Sequence, residues 1–271
     1  MRATLVVSLL VLASACTSST EPVPTYEPLV CDPAAADHVA FGVQESAAFF
    51  GPEADKMYGR RFLIIDGSCR FFVGNGSLGQ VRGGVLTPEE LDAINAELLT
   101  GPWETIDGVH NARVGADAWT DSLWRDGIGG SCFLSCDGPA SAELTAMLTT
   151  AFRWESQLRE RGAPLDGPVQ LVLSGGGTTP IDGAVELTGT TNLAIALGDR
   201  YYGATIIVSD SLDVAALRAL REALPSPLYS RVQLREGDLF YSALVIDAIP
   251  HGNADGRLLP PFPIMDYGAP R

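Results

Sequence analysis

Cys132-Phe133-Leu134-Ser135-Cys136 is the segment of this chain with the most specific chemistry, and Asp137-Gly138-Pro139 leads it into a helix-like stretch. Two thiols at that spacing can close a disulfide, exchange electrons as a dithiol, or hold Cu(I) as thiolates, and a helix start lowers a thiol's pKa. If the segment is extended, its ends lie about 13 Å apart, against a limit of roughly 7 Å between the α-carbons of a bridge. Self-pairing then requires a turn or helix, and bridges to Cys31 and Cys69 are expected instead. His38, His110 and His251 are isolated, with no His/His or His/Glu pair at helical spacing, so no metal ligand is assigned.

Two glycine-rich segments resolve into turns. Gly74-Asn75-Gly76-Ser77-Leu78-Gly79 has the spacing of a dinucleotide loop, but Gln80–Gly84 follows it where a helix is needed, so a hairpin is expected. Ser77 misses the nucleophile-elbow pattern because Asn75 occupies the first glycine position. Ser174-Gly175-Gly176-Gly177-Thr178-Thr179-Pro180 lacks the lysine and the helix of a phosphate loop and reads as a flexible turn. Asn253-Ala254-Asp255-Gly256 has the centre of a calcium loop, with His251 and Phe262 where acidic ligands belong, and reads as an Asx-type turn. No cofactor is expected. A Ser, a His and an Asp can be chosen from almost any sequence, so a secreted hydrolase with dispersed catalytic residues is an alternative that only geometry decides. Tyr201-Tyr202, after Asp199-Arg200, offers a ligand or glycan surface.

The amino terminus carries an address. Met1-Arg2 supplies one positive charge, Thr4–Leu12 is apolar, and Ala13-Ser14-Ala15 places small residues before Cys16. Such an n-, h- and c-region order is a signal peptide, expected over residues 1–15. Residues 3–15 make roughly 20 Å of helix against about 30 Å of bilayer hydrocarbon, so cleavage is expected rather than a retained span. The small residues before Cys16 resemble the lipobox of bacterial lipoproteins, with Ala13 standing where leucine is usual. That resemblance implies a lipidated Cys16 and a lasting attachment to the membrane, since each buried methylene of an acyl chain contributes about 0.8 kcal/mol. Thr17–Leu29, with Pro22, Pro24 and Pro28, reads as a flexible tether, giving a tether over 16–29 and a globular region over 30–271. Thr17 is not the Asp associated with inner-membrane retention, which favours the outer membrane of a bacterial envelope.

With Cys16 assigned to lipid, the cysteines Cys31, Cys69, Cys132 and Cys136 form an even set. In an oxidising envelope they imply two disulfides. The Cys-x-x-x-Cys before a helix is also faintly similar to the copper-chaperone branch of the thioredoxin-like proteins. That likeness implies a copper-binding or thiol-redox role for Cys132 and Cys136. Phe133 stands where that family places proline, and His251 is the histidine available to complete the site.

The formal charge of −15, with a single lysine at Lys56 and arginines scattered except for Arg60-Arg61 and Arg159/Arg161, excludes nucleic acid as a partner. Three amphipathic helices have clear signals. Thr87, Pro88 and Glu90 make a capping box before Leu91, Ile94 and Leu98. A helix over about 141–161 carries Leu144, Met147, Leu148, Ala151, Trp154 and Leu158 on one face and stops at Gly162. A third runs from about 212 to 224, with Ser211 as N-cap. Strands are expected at 38–43, 61–65, 70–73, 118–124, 169–174, 184–187, 193–197, 205–209, 229–234 and 239–246, with hairpins at Asp66-Gly67-Ser68 and Arg125-Asp126-Gly127. Trp103, Trp119, Trp124 and Trp154 are expected in the core or on hairpin faces.

Strands outnumber helices without alternating with them, which predicts an α+β fold of mostly antiparallel sheets. A subdomain boundary is placed near 162–167, one domain being equally tenable. The leading functional expectation is an envelope lipoprotein held through Cys16, non-enzymatic, with a binding or structural role towards a protein or glycan partner.

Overall fold

The computed structural model describes residues 26–46, 61–75, 79–108, 110–111, 120–133, 139–194, 202–224 and 231–252. Its fold is α+β, with antiparallel-dominated sheets, as the strand pattern predicts. The first sheet is built from β1 (Val39–Ser46), β2 (Arg61–Asp66), β3 (Arg70–Asn75), β4 (Gln80–Val85), β5 (His110–Asn111), β6 (Thr120–Arg125), β7 (Ile128–Phe133) and β8 (Ala163–Pro164), in the order β5-β7-β6-β1-β2-β3-β4-β8. The second is built from β9 (Val169–Gly177), β10 (Val185–Glu186), β11 (Tyr202–Val208), β12 (Val232–Glu236) and β13 (Leu239–Asp247), in the order β10-β12-β13-β9-β11. Two short pairings, β5 with β7 and β10 with β12, are parallel.

Side-chain alternation stacks these sheets into layers. Along β2, Leu63 and Ile65 point one way, into a core shared with the helices α1 (Pro88–Ile94), α2 (Trp103–Ile106) and α3 (Pro139–Arg161). Phe62 and Ile64 point the other way and meet Val172, Leu244 and Ile246 of the second sheet. The far face of that sheet, through Leu171, Leu173, Ala243 and Val245, packs on α4 (Ser211–Glu222). The order of layers is therefore helices, sheet, sheet, helix. Both sheets are apolar on two faces, which is why so many of their strands read as unbroken apolar runs.

Local signals account for most element boundaries. Thr87 and Glu90 form the expected capping box, with Glu90 N–H donating to Thr87 Oγ1 at 3.2 Å and Thr87 N–H to Glu90 Oε2 at 2.8 Å. After Ile94 the helix widens into a π-turn over Asn95–Leu99, closed by Thr100 N–H on the Asn95 carbonyl at 3.0 Å. Leu98 and Leu99 are then both buried. Asp126 and Gly127, at φ 50° and 85°, make the two-residue β6–β7 turn that Arg125-Asp126-Gly127 predicts. Trp103, Trp124 and Trp154 are buried; Trp119 lies outside the described residues. The Trp124 indole lies across Gly42 of β1, where a Cβ would stand 2.1 Å from its ring.

Some expectations are corrected. The N-cap of α4 is Asp210, not Ser211, because its carboxylate receives the amides of Leu212 and Asp213. Ser174–Gly177 is not a turn. It continues β9, pairing with Phe240–Ser242 on one side, and Ser174 with Tyr202 on the other. Gln80–Val85, missing from the expected strands, is the second arm of the hairpin expected at Gly74–Gly79. Leu193 and Ala194 are helical rather than extended, with their amides held by the Glu236 carboxylate. Asn253–Gly256 and Tyr201 lie outside the described residues.

The sheets are fastened at one buried carboxylate. Asp247, at the end of β13, accepts from Val81 N–H of β4 at 3.0 Å and from Arg218 and Arg221 of α4 at 3.1 Å each. Arg221 also donates to the Gly79 carbonyl at 2.6 Å, and Arg218 to the Leu165 carbonyl at 2.8 Å. Gly79 has φ 61°, and a Cβ there would lie 2.7 Å from the Val245 carbonyl, so glycine is required twice over. Replacing Asp247 with Ala strips the carboxylate from the buried Arg221 and leaves Arg218 only the exposed Asp166 at 3.9 Å, and a loss of about 3 kcal/mol or more is expected in urea unfolding. Thr87→Ala, which removes only a surface cap, is expected to cost about 1 kcal/mol in the same measurement.

Candidate functional site

A row of polar side chains crosses the helix-facing side of the first sheet. The register pairs Arg61 with Glu45, Glu45 with Asp121, and Asp121 with Cys132, so four neighbouring strands each contribute one residue. These residues keep step with Leu63, Val43 and Leu123, which with Cys132 line the first core, so the whole row lies under α3. Arg61 Nε donates to Glu45 Oε2 at 2.7 Å, and its guanidinium carbon lies 3.8 Å over the Phe152 ring of α3. Glu155 of the same helix is fully buried and paired with Arg159 one turn on. Burial raises its pKa even though Arg159 and Arg61 oppose the shift.

Asp121 is the chemically unusual member. Burial, reinforced by the Glu45 carboxylate and only partly opposed by Arg61, pushes its pKa up to about 6. Its Oδ1 is buried and accepts no hydrogen bond among the described residues. A carboxyl group of this kind holds or releases a proton near neutral pH.

Cys31 and Cys69 are bonded to each other, with α-carbons 5.2 Å apart, so the bridges expected from Cys132 and Cys136 to those two do not form. The reason is local. The segment before β1 lies against the β2–β3 turn, with Asp32 N–H on the Gly67 carbonyl at 2.9 Å, and this sets Cys31 beside Cys69. Cys132 is disulfide-bonded as well, and its sulfur therefore offers no thiolate to copper in this state; Cys136 and Cys16 lie outside the described residues.

A second cluster surrounds Asp66 at that turn. Its Oδ1 accepts from Ser68 N–H, Ser68 Oγ and Arg70 N–H at 3.0, 2.7 and 2.9 Å, and its Oδ2 accepts from Arg70 Nε at 2.8 Å. Burial works to raise its pKa, but the Ser68 and Arg70 hydrogen bonds outweigh it and hold the carboxyl below its ordinary value. His251 Nε2 lies 3.6 Å from Oδ2, and burial lowers its pKa against the pull of Asp66. Serine, histidine and aspartate are thus together, but the aspartate is in the middle. Acyl transfer needs the histidine there, receiving the serine proton, so this trio is not a nucleophilic relay. His38 pairs with Asp126 at the surface at 2.8 Å, and His110 belongs to β5. No group of three or more His, Cys, Asp or Glu side chains able to hold a metal ion occurs among the described residues.

A groove of about 420 Å³ opens beside β11, floored by Ile207, Ile249, Ala248, Pro168 and Leu165 with Gln170 and Thr205. Among the described residues β11 is an edge of its sheet, and Ile207 is 52% exposed. The sequence singled out neither this groove nor the Glu45, Asp121 and Glu155 carboxylates. The available signal was a charge at an inward position: in Phe41-Gly42-Val43-Gln44-Glu45, the glutamate falls in step with the core residues Phe41 and Val43. Compared with known protein families, curated proteins and solved structures, the chain matches none.

The Asp121 site has a stability signature. Its folded pKa, about 6, lies above the ordinary 3.8, so the penalty of burying its charge is fully present only above about pH 7 and is relieved as pH falls through 6 towards 4. Asp121→Asn is expected to be more stable than wild type by on the order of 2 kcal/mol at pH 7. In urea titrations across pH 4–7.5 the difference should close near pH 4.

Proposed function

We propose that this chain is a lipid-anchored protein of a bacterial envelope, held through Cys16 at the outer membrane, whose folded part binds a partner. What supports the reading best is how the chain enters its fold after the lipobox-like segment. Tyr26 and Leu29 pack on the first core. Asn95 grips Leu29 at both backbone atoms, receiving its N–H at 2.7 Å and donating to its carbonyl at 3.1 Å. Arg125 donates to the Glu27 carbonyl and lies 5.3 Å from the centre of the Tyr26 ring. Two residues further on, the Cys31–Cys69 bridge fixes the chain covalently to the sheet.

A domain suspended by its amino terminus needs such fastening, because any pull on the anchor arrives there. The end of the stretch expected as tether is thus bound to the domain, leaving 16–25 to span at most about 35 Å. The Tyr26 end is acidic: burial, then Glu104 and Asp107, raise the tyrosine's pKa. An anionic membrane would repel that end and keep the domain standing off. The binding role falls to the groove beside β11, where a strand edge unpaired among the described residues, next to apolar side chains, suits an extended protein segment better than a glycan.

Metabolic labelling with a fatty acid tests the anchor. Wild type should incorporate label and Cys16→Ser should not; an unlabelled, soluble wild type would refute the proposal. The fastening has its own expected outcome: Cys31→Ser/Cys69→Ser opens a loop with a sequence separation of 38 and should lower stability by about 2–4 kcal/mol in urea unfolding.

A further inference from the structure

We propose that the groove beside β11 takes an extended segment of a different protein, added to the sheet as a strand along β11, with aliphatic side chains entering the groove and a basic side chain reaching Asp166. This rests on the reading of that groove as the binding surface and names its occupant. The groove exists because the first sheet does not reach the edge of the second. Phe62 and Ile64 pack over Val172 of β9, which is 2% exposed. The β9–β11 register sets Thr205 opposite Val172 and Ile207 opposite Gln170, so Thr205 and Ile207 point to the same side as Val172. Ile207 is nevertheless 52% exposed. An apolar side chain on the inner face of the second sheet is thus left open to solvent.

The space in front of it, about 420 Å³, is walled by the connection between β8 and β9, through Leu165 and Pro168, and by the segment after β13, through Ala248 and Ile249. Among the described residues β11 has β9 on one side and no strand on the other. An added strand therefore finds main-chain N–H and C=O partners along Tyr202–Val208. Side chains alternate along a strand, so every second one of the added segment faces the groove beside Thr205 and Ile207. Aliphatic residues at those positions cover Ile207 as Phe62 and Ile64 cover Val172.

Charge selects among occupants. Asp166 is the one charged residue among the described residues of the groove, and its side chain is fully exposed. Arg218 comes no closer to it than 3.9 Å, being held by Asp247 at 3.1 Å and the Leu165 carbonyl at 2.8 Å. Asp166 stands three residues before Val169, which the register sets opposite Val208. The negative charge therefore lies towards the Val208 end of β11, and a lysine or arginine is favoured at that end of the added strand. A second copy of this chain is a poor occupant, because each carries a formal charge of −15 and two copies repel one another. Anionic lipid headgroups are repelled for the same reason.

The test is the binding of short, end-blocked, fluorescein-labelled peptides to the intact chain, followed by fluorescence anisotropy. Valine alternates with threonine in each peptide, and lysine, glutamine or glutamate occupies one end or the other. With the charge at the matching end, the lysine peptide should bind about fivefold more tightly than the glutamate peptide at low ionic strength, and the ratio should shrink at about 0.5 M salt. Asp166→Asn should remove that preference and leave the glutamine peptide's affinity unchanged. Ile207→Asn, a change at an exposed position, should weaken every peptide about tenfold. N-methylation of alternate peptide amides should abolish binding in one set and spare it in the other, since only one set faces β11. Binding that Ile207→Asn weakens, but without a preference for lysine or a difference between the methylated sets, leaves the groove as the binding surface and overturns this proposal. Peptides that ignore Ile207→Asn, or that all fail to bind, overturn both readings. A dimer in sedimentation that Ile207→Asn dissociates would assign the groove to a second copy, and binding gained only on deletion of 253–271 would assign it to the chain's own carboxy-terminal segment; either result overturns the proposal.

Discussion

Asp247 is the residue on which the arrangement of the two sheets turns. Buried at the end of β13, it receives an amide from β4 and two guanidinium groups from α4. The same arginines reach the Gly79 and Leu165 carbonyls beside β4 and β8, and Asp247 N–H of β13 donates to Gly79 as well, so backbone from both sheets ends at one charge cluster. The cluster restricts how the inner faces meet. Apolar contact between Phe62, Ile64, Val172 and Leu244 favours association but is indifferent to small slides, whereas the geometry of a buried carboxylate is not. Burying three charges is costly unless every lone pair and proton is answered, which makes this corner intolerant of change.

The first sheet shows a contrasting use of charge. Most of its helix-facing side is apolar, and one row, from Arg61 through Glu45 and Asp121 to Cys132, is not. Glu155 is paired with Arg159, which leaves Arg61 to balance both Glu45 and Asp121, and one cation cannot do this fully. The mismatch falls on Asp121, which has burial and a neighbouring carboxylate against it and, among the described residues, no hydrogen bond to its inner oxygen. Where Asp247 and Asp66 are saturated and fixed in charge, Asp121 is poised. Reactivity in a protein is generally found in groups of the second kind.

The amino-terminal entry is bound into the same fold. The Asn95 that grips Leu29 is also the first residue of the π-turn, and Arg125, which holds Glu27, also donates to the Leu99 carbonyl at that turn's end. The wider turn thus organises the site where the entering chain is bound. It has a steric cause as well: it buries Leu98 and Leu99 together and leaves the Leu98 carbonyl for the Trp103 indole at 3.0 Å.

The sequence by itself determined whatever depends on neighbours along the chain. The Thr87–Glu90 cap, the apolar stripe of α3, the Asp126-Gly127 turn and the antiparallel α+β character all follow from local rules of period and torsion. Errors arose where a short-range rule had a long-range competitor. The glycines of Ser174–Gly177 read as a turn, yet the stretch lies in a strand paired on two sides. The partners of Cys31, the meeting of Glu45, Asp121 and Cys132, and the grip of Asp247 were decided only by the tertiary structure. Strand register and sheet stacking bring together residues far apart in sequence, and an alternating pattern shows which face a side chain takes without saying what stands opposite it.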